Sequence, residues 1–193
     1  MTSGNNMRPL YLALLHHPIL NRRGETVTTS VTNLDIHDIS RTACTYGAKK
    51  LYIVTPIVDQ HELVGRILAH WERKEALEHH PDRVRALGLV CLKTTIEEAL
   101  AEIVEAHGEA PEVWMTDARP RPVSLSYRDA RESVSVGNKP ILVVLGTGWG
   151  VAQEVNDLVS HWLDPIYGPK SLDYNHLSVR GAAAVILDRL VGH

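Results

Sequence analysis

The run at residues 140–145 (PILVVL) passes directly into Gly146-Thr147-Gly148-Trp149-Gly150. A short apolar stretch without polar alternation fits a parallel strand covered on both faces. Such a strand needs crossover connections and helices above and below it, so it commits the chain to a layered α/β architecture. The rest of the sequence agrees. Strand patterns are expected at residues 9–15, 50–55, 89–92 and 112–116, with a short extended piece at 163–166. Helical periodicity predicts helices over 33–46, from about Asp59 to the His79-His80-Pro81 break, and over 95–107, 150–162 and 178–191. Asn33 suits the N-cap of the first of these and Gly47 its end, while Thr95 and Glu98 form a capping box closed by Gly108. The βαβαβαβα order predicts an α/β fold with a mostly parallel sheet flanked by helices.

A length of 193 residues suits one domain, read here as residues 8–193, with 1–7 expected to be a disordered N-terminus. The formal net charge of −3 excludes a uniformly basic nucleic-acid coat and an acidic disordered tail. Phenylalanine is absent, so core filling falls to Leu, Val, Ile and Ala, and every aromatic ring apart from the histidines is one of four Trp or six Tyr. Cys44 and Cys91 have no partner motif, which points to a reducing, cytoplasmic compartment. No apolar run approaches the ~18 residues of a membrane span, and residues 1–8 lack a signal-peptide core. No membrane partner is expected.

Three blocks carry chemistry. In the first, three glycines in five let the backbone approach a ligand closely, and the following helix start turns N–H groups toward a polar or anionic group. The block is no P-loop, because no Gly-Lys-Ser/Thr follows. As a dinucleotide fingerprint it is imperfect, with Val151 in place of the third glycine, although Asp164 lies roughly 20 residues on, near the spacing of a ribose-binding acid. A plain tight strand-to-helix turn is the alternative. The second block, Leu172-Asp173-Tyr174-Asn175-His176-Leu177-Ser178-Val179-Arg180, enters a helix of small residues at Gly181 to Ala184 and suits a pocket wall. Ser178 is equally an N-cap. In the third, Asn33, His37 and Arg41 are four apart and share one helix face, and Asp38 can pair with Arg41. That stripe reads either as part of a site or as a solvated face with an ordinary ion pair.

Together these blocks resemble the three motifs of the SPOUT class of S-adenosylmethionine-dependent RNA methyltransferases. Residues 33–47 (NLDIHDISRTACTYG) are similar to the Asn…Arg-Thr-Ala…Tyr/Phe-Gly segment of its ribose methyltransferase branch. Residues 141–150 (ILVVLGTGWG) resemble the strand and glycine turn that reach the methyl donor, and 174–187 (YNHLSVRGAAAVIL) the helix entry of the knotted C-terminus. The likeness covers nearly the whole chain and is nearest to a small stand-alone SPOUT family with GTGWG and YNHLSVR as hallmarks. It implies an α/β fold with a C-terminal deep trefoil knot, a rare exception to unknotted topology. It also implies a homodimer built around the knot, S-adenosylmethionine as cofactor, and RNA, either tRNA or rRNA, as partner. Carried over by residue, the donor pocket is Gly146, Thr147, Gly148 and Gly150, then Ile166 and Gly168, then Leu172, Asn175, His176, Leu177 and Ser178. Arg41 matches the arginine used near the reacting group, and Asn33 its motif partner. Trp149 stands where the ribose branch has Glu, and His176 and Arg180 also depart from it, which leaves ribose 2′-hydroxyl and base nitrogen both open as the methylated atom.

Methyl transfer needs alignment and the removal of one proton. His37 and His176 have the intrinsic pKa for that task, and Arg41 can instead lower the pKa of the nucleophile or hold a phosphate. The remaining histidines, His16-His17 and His79-His80 among them, have no ligand partners at metal spacing, so no metal is expected. RNA contact falls to local charge: Arg119, Arg121 and Arg128 in one arginine-rich segment, and Arg22 with Arg23. A solvated loop explains the first cluster equally well. Tyr46, Tyr127, Tyr174 and Trp149 are the rings available for base stacking. A non-catalytic, donor-binding dimeric RNA-binding or regulatory module is the competing function. A nicotinamide-dependent oxidoreductase is disfavoured by Val151 and by the late position of the glycine loop.

Overall fold

The computed structural model describes residues 7–172 and 174–193. The expectation for residues 1–6 and for Asp173 lies outside the described residues. Met7 is partly buried against the core. Strands β1 (Leu10–Leu15), β4 (Leu51–Val54), β5 (Val90–Lys93), β6 (Glu112–Met115), β7 (Ile141–Gly146) and β8 (His161–Trp162) form one sheet in the order β5-β4-β1-β7-β6-β8. Every pairing in it is parallel. Two short strands, β2 (Ile19–Leu20) and β3 (Thr26–Val27), make a separate antiparallel hairpin. The helices are α1 (Asn33–Thr45), α2 (Val58–Trp71), α3 (Lys74–His79), α4 (Pro81–Leu87), α5 (Ile96–His107), α6 (Tyr127–Val134), α7 (Gln153–Asn156) and α8 (Val179–Val191).

The central strands alternate their side chains between two cores. Leu10, Leu12 and Leu14 of β1 and Ile141, Val143 and Leu145 of β7 pack with Ile36, Ile39 and Ala43 of α1 and Ala183, Ile186, Leu187 and Leu190 of α8. Tyr11, Ala13 and Leu15, with Leu142 and Val144, pack on the opposite face against Ile96, Ala99 and Ile103 of α5.

 Ala99 is fully buried on that side of α5. This two-sided covering is what the unbroken 140–145 run requires, and burying each large aliphatic side chain contributes about 1.5–3 kcal/mol.

Element ends follow local chemistry. Thr32, not Asn33, is the N-cap of α1: its hydroxyl accepts from the Asp35 N–H, and Asn33 is already the first helical residue. Asn ranks above Thr as a cap on propensity, and the extended backbone of Thr32 with its hydroxyl bond overrides that preference. Thr95 caps α5 as expected, and Gly108 ends it with φ 74°. The expected long helix from Asp59 is instead two, α2 and α3, broken at Arg73, whose backbone is extended. It ends at His80 as expected, where the following Pro81 disfavours helical geometry, and Pro81 opens a further helix, α4. The fold-back lays His80 and Arg83 on the Trp71 ring. The expected helix over 150–162 is reduced to the single turn α7. Val151 is spent on a bridge to Ile19, and His161–Trp162 adds to the sheet edge as β8. The arginine-rich segment, where no helix was expected, holds helix α6, capped by the Ser126 hydroxyl that accepts from Asp129 N–H.

Among the described residues no helix is long and apolar enough to cross a membrane.

Candidate active site

The chain runs from β1 to β4 and β5 on one side and returns to β7, β6 and β8 on the other. The strand order therefore reverses between β1 and β7, and a crevice opens beyond the carboxyl ends of the strands at such a point. A cavity of about 450 Å³ occupies it, within the range of small-molecule sites. It is lined by Leu145 to Gly148, Gly150 and Val151, by residues 115–118, Asp164, Ile166 and 175–177, and by His16, Thr29, Ser30, Asp35 and Arg180.

The glycine loop is clamped by the β2–β3 hairpin. Leu20 N–H donates to Gly150 O and Trp149 N–H donates to Leu20 O, both at 2.9 Å, beside the Ile19–Val151 bridge. A Cβ on Gly148 would stand 1.9 Å from Ile19 Cγ2 and 2.9 Å from Leu20 O, so only glycine fits. Gly150 has φ 133°, which a side chain would strain. The loop therefore offers bare backbone to the cavity because the hairpin occupies its other side.

Asp35, which also lines the cavity, sits in the first turn of α1 with only 7% of its side chain exposed. It accepts from Arg180 Nη1 at 2.7 Å and from the Thr32 hydroxyl at 2.6 Å. Arg180 Nε also lies 3.6 Å from Asp38. His16, immediately after β1, is 1% exposed. Its Nδ1 is 3.0 Å from Thr29 Oγ1, which is hydrogen-bonded to Thr147 Oγ1, and the Thr147 hydroxyl donates to Leu15 O at 2.8 Å. His16 Nε2 is buried without a partner. Burial lowers the His16 pKa to about 4, against a smaller upward pull from Asp35.

The last loop is tied down by Asn175, whose Nδ2 donates to Ala118 O at 2.9 Å, and Tyr174 and His176 meet edge-on. Of the expected donor-pocket residues, Gly146, Thr147, Gly148, Gly150, Ile166, Asn175, His176 and Leu177 line the cavity. Gly168, Leu172 and Ser178 do not; the Ser178 hydroxyl caps α8 by accepting from Gly181 N–H.

The expected catalytic set divides. His176 lines the cavity, whereas Asn33, His37 and Arg41 line a second groove with Arg66, His70, Trp71 and Arg83. The separation follows from helix geometry, because Asp35 turns one face of α1 to the cavity and the stripe spaced by four turns another way. Burial, reinforced by the nearby Arg83 charge, lowers the His37 pKa. Among the expected RNA-binding arginines, Arg119 and Arg121 both pair with Asp117, which lines the cavity. Their hydrogen bonds outweigh its burial and hold the Asp117 pKa below the usual range. Arg22 lies over the exposed Trp149 ring at 4.6 Å, and Arg23 and Arg128 are exposed.

His16 and Asp35 line the cavity although no motif pointed to them, and Arg180 was expected only as the end of the pocket-wall block. His16 was legible only as the residue ending the first strand, where α/β sites collect. The Asp35–Arg180 pair joins positions far apart in sequence and leaves no local pattern.

The chain matches the family described as SAM-dependent RNA methyltransferase over residues 9–192. It is 43% identical over 186 residues to a tRNA (guanine-N(1)-)-methyltransferase of Oleidesulfovibrio alaskensis, covering 96% of this chain and 42% of that protein. An uncharacterised protein of Aquifex aeolicus is 38% identical over 181 residues, covering 94% of this chain and 87% of its own length. The chain thus spans less than half the length of the first relative. Among solved structures, a putative methylase family protein from Neisseria gonorrhoeae superposes with a TM-score of 0.64 at 15% identity, covering 99% of this chain and 85% of that one. A TrmH/SpoU tRNA modifying enzyme from A. aeolicus does so with a TM-score of 0.53 at 18% identity, covering 96% and 76%. These two likenesses establish the SPOUT-type fold, and the family match over nearly the whole length places the chain among the SAM-dependent RNA methyltransferases.

Proposed function

We infer that this protein transfers a methyl group from S-adenosylmethionine to RNA, with tRNA as the substrate class. The observation that carries the reading is the cavity at the β1/β7 switch point, where the clamped glycine loop, Ile166 and residues 175–177 converge. The fit to the donor is chemical. Met115, Leu145, Val151 and Ile166 give an apolar lining for an adenine ring, while glycine backbone and Asn175 give polar edges. When bound, the donor supplies an electrophilic methyl on a sulfonium. Gly146, Thr147, Gly148, Gly150, Ile166, Asn175, His176 and Leu177 hold it, with Gly168, Leu172 and Ser178 supporting the loops around it.

Asn33, His37 and Arg41 act on the RNA side in this reading. They lie off the cavity of their own protomer, and a homodimer brings the Arg41 face of one copy to the cavity of the other. Exposed Tyr167, Leu172, Tyr174 and Leu177 near the cavity support such an apolar contact. Arg22, Arg23, Arg119, Arg121 and Arg128 supply phosphate contacts despite the net charge of −3. The trefoil knot belongs to the same reading, as does action in the cytoplasm. A base nitrogen is the favoured methyl acceptor, because the long relatives are named for guanine N1 and Trp149 replaces the glutamate of the ribose branch.

The test is calorimetry with S-adenosylmethionine, its demethylated product and NAD, followed by labelled methyl incorporation into bulk RNA from cells lacking the protein. Binding of the first two ligands and incorporation are expected. Absence of both bindings ends the methyltransferase reading, and binding without incorporation favours the non-catalytic module.

A further inference from the structure

We propose that His16 is the proton acceptor of the methyl transfer, presenting an unprotonated Nε2 from the cavity floor to the N–H or O–H of the nucleotide being methylated. The inference rests on the donor-site reading above and extends it to the residue that follows β1.

The hydrogen-bond chain fixes the tautomer. The Thr147 hydroxyl has one proton, given to Leu15 O at 2.8 Å, so its oxygen accepts from Thr29. The Thr29 proton is thereby committed, and its oxygen accepts from His16 Nδ1 at 3.0 Å. Nδ1 therefore carries the ring proton and Nε2 carries the lone pair. That Nε2 is buried and unpartnered in a ring that lines the cavity, a cost tolerated in folded proteins where a ligand meets it.

The other titratable groups on the cavity are engaged or exposed. Asp35 is held by Arg180 and Thr32, Asp117 by Arg119 and Arg121, and Asp164 accepts from the Ser124 hydroxyl. His176 is exposed at the rim. Among the described residues, His16 Nε2 is the buried acceptor on this cavity left free. Ordinary burial lowers the ring's basicity, which keeps the lone pair available at neutral pH.

The step balances. The carbon–sulfur bond of the donor breaks as the methyl carbon bonds to the nucleotide nitrogen or oxygen, and sulfur keeps the electron pair as a neutral thioether. The proton on the attacking atom, made strongly acidic as the new bond forms, passes to His16 Nε2. Nδ1–H stays on Thr29 throughout, and the nearby Asp35 carboxylate steadies the imidazolium until water removes the proton.

His16→Asn keeps an amide donor for Thr29 and deletes Nε2; His16→Gln places a non-basic amide near the Nε2 position. With bulk RNA from cells lacking the protein, both variants should bind S-adenosylmethionine within about 3-fold of the wild type. Both should lose about 100-fold or more in the methyl transfer rate, the scale of general-base catalysis. Nitrogen-15 spectra of the imidazoles, recorded on the wild type without ligand, should show Nδ1 protonated and Nε2 bare at neutral pH. The reverse tautomer overturns the proposal. So does transfer within about 3-fold of wild type in His16→Asn, or recovery by His16→Gln. Loss of donor binding with an unchanged transfer rate assigns His16 to the donor and also overturns it. If the wild type binds donor yet transfers nothing, the methyltransferase reading itself falls and takes the proton transfer with it.

Discussion

Replacing Gly148 by alanine should damage the donor site through the hairpin behind the glycine loop. The added Cβ would stand 1.9 Å from Ile19 Cγ2, where ordinary contact begins near 3.4 Å, so the loop and hairpin must part by about 1.5 Å. Ile19 is fully buried and cannot swing aside. A parting of that size breaks the Leu20–Gly150 and Trp149–Leu20 hydrogen bonds, at about 0.5–1.5 kcal/mol each. Residual overpacking adds about 1–3 kcal/mol, for a total near ~4 kcal/mol. At this chain length that lowers the melting temperature by roughly 8–16 °C. Donor affinity should fall by about 100-fold, because the displaced backbone no longer presents its groups in register. Gly65→Ala, on the exposed side of α2, is the control, since a Cβ there meets nothing within 4 Å. It should leave donor affinity near wild type and should not lower the melting temperature. Calorimetry with the demethylated donor and a thermal melt decide the matter. A Gly148→Ala protein that melts within about 1 °C of wild type and binds within about 3-fold would refute the close-packing argument.

Three further outcomes follow from the same geometry. The folded His16 pKa, about 4, lies below its ordinary 6.5, so the unfolded chain binds the extra proton and stability falls as pH drops from 6.5 to 4. The loss is about 3 kcal/mol; urea midpoints at pH 7, 5.5 and 4 should fall more steeply for wild type than for His16→Asn, and parallel curves would contradict it. Arg180→Met should cost about 2–3 kcal/mol in urea unfolding by stranding the Asp35 carboxylate, and adding Asp35→Asn should recover at least half. Equal losses in the single and double variants would show that the pair is not coupled. Arg41→Ala should leave donor binding unchanged in calorimetry and abolish labelled methyl incorporation into RNA, and a matching loss of donor affinity would place Arg41 in the cavity wall instead.

The sheet was legible because its strands announce themselves: an apolar run such as 140–145 has few ways to be buried other than between two layers. The helix ends at Gly108 and Ser178 were legible for the same local reason, a cap with one good conformation. The failures share a cause too. Val151, Val155, Leu158 and Trp162 have helical spacing, yet Val151 pairs with Ile19 and Trp162 with Met115, both distant in sequence. Periodicity cannot distinguish burial by a helix from burial by a partner it does not see. Helix α6 carried a readable Ser-x-x-Asp cap that the density of arginines obscured. In the site, the glycine loop declared itself through composition, while His16 needed the Thr29–Thr147 chain, and that chain exists only once β1, the hairpin and β7 have met.

Arg180 holds Asp35 on the cavity side of α1 and approaches Asp38 on the groove side. One guanidinium thus neutralises carboxylates belonging to two compartments. A ligand that draws the guanidinium toward one carboxylate leaves the other less compensated, and a coupling of that kind acts equally in both directions.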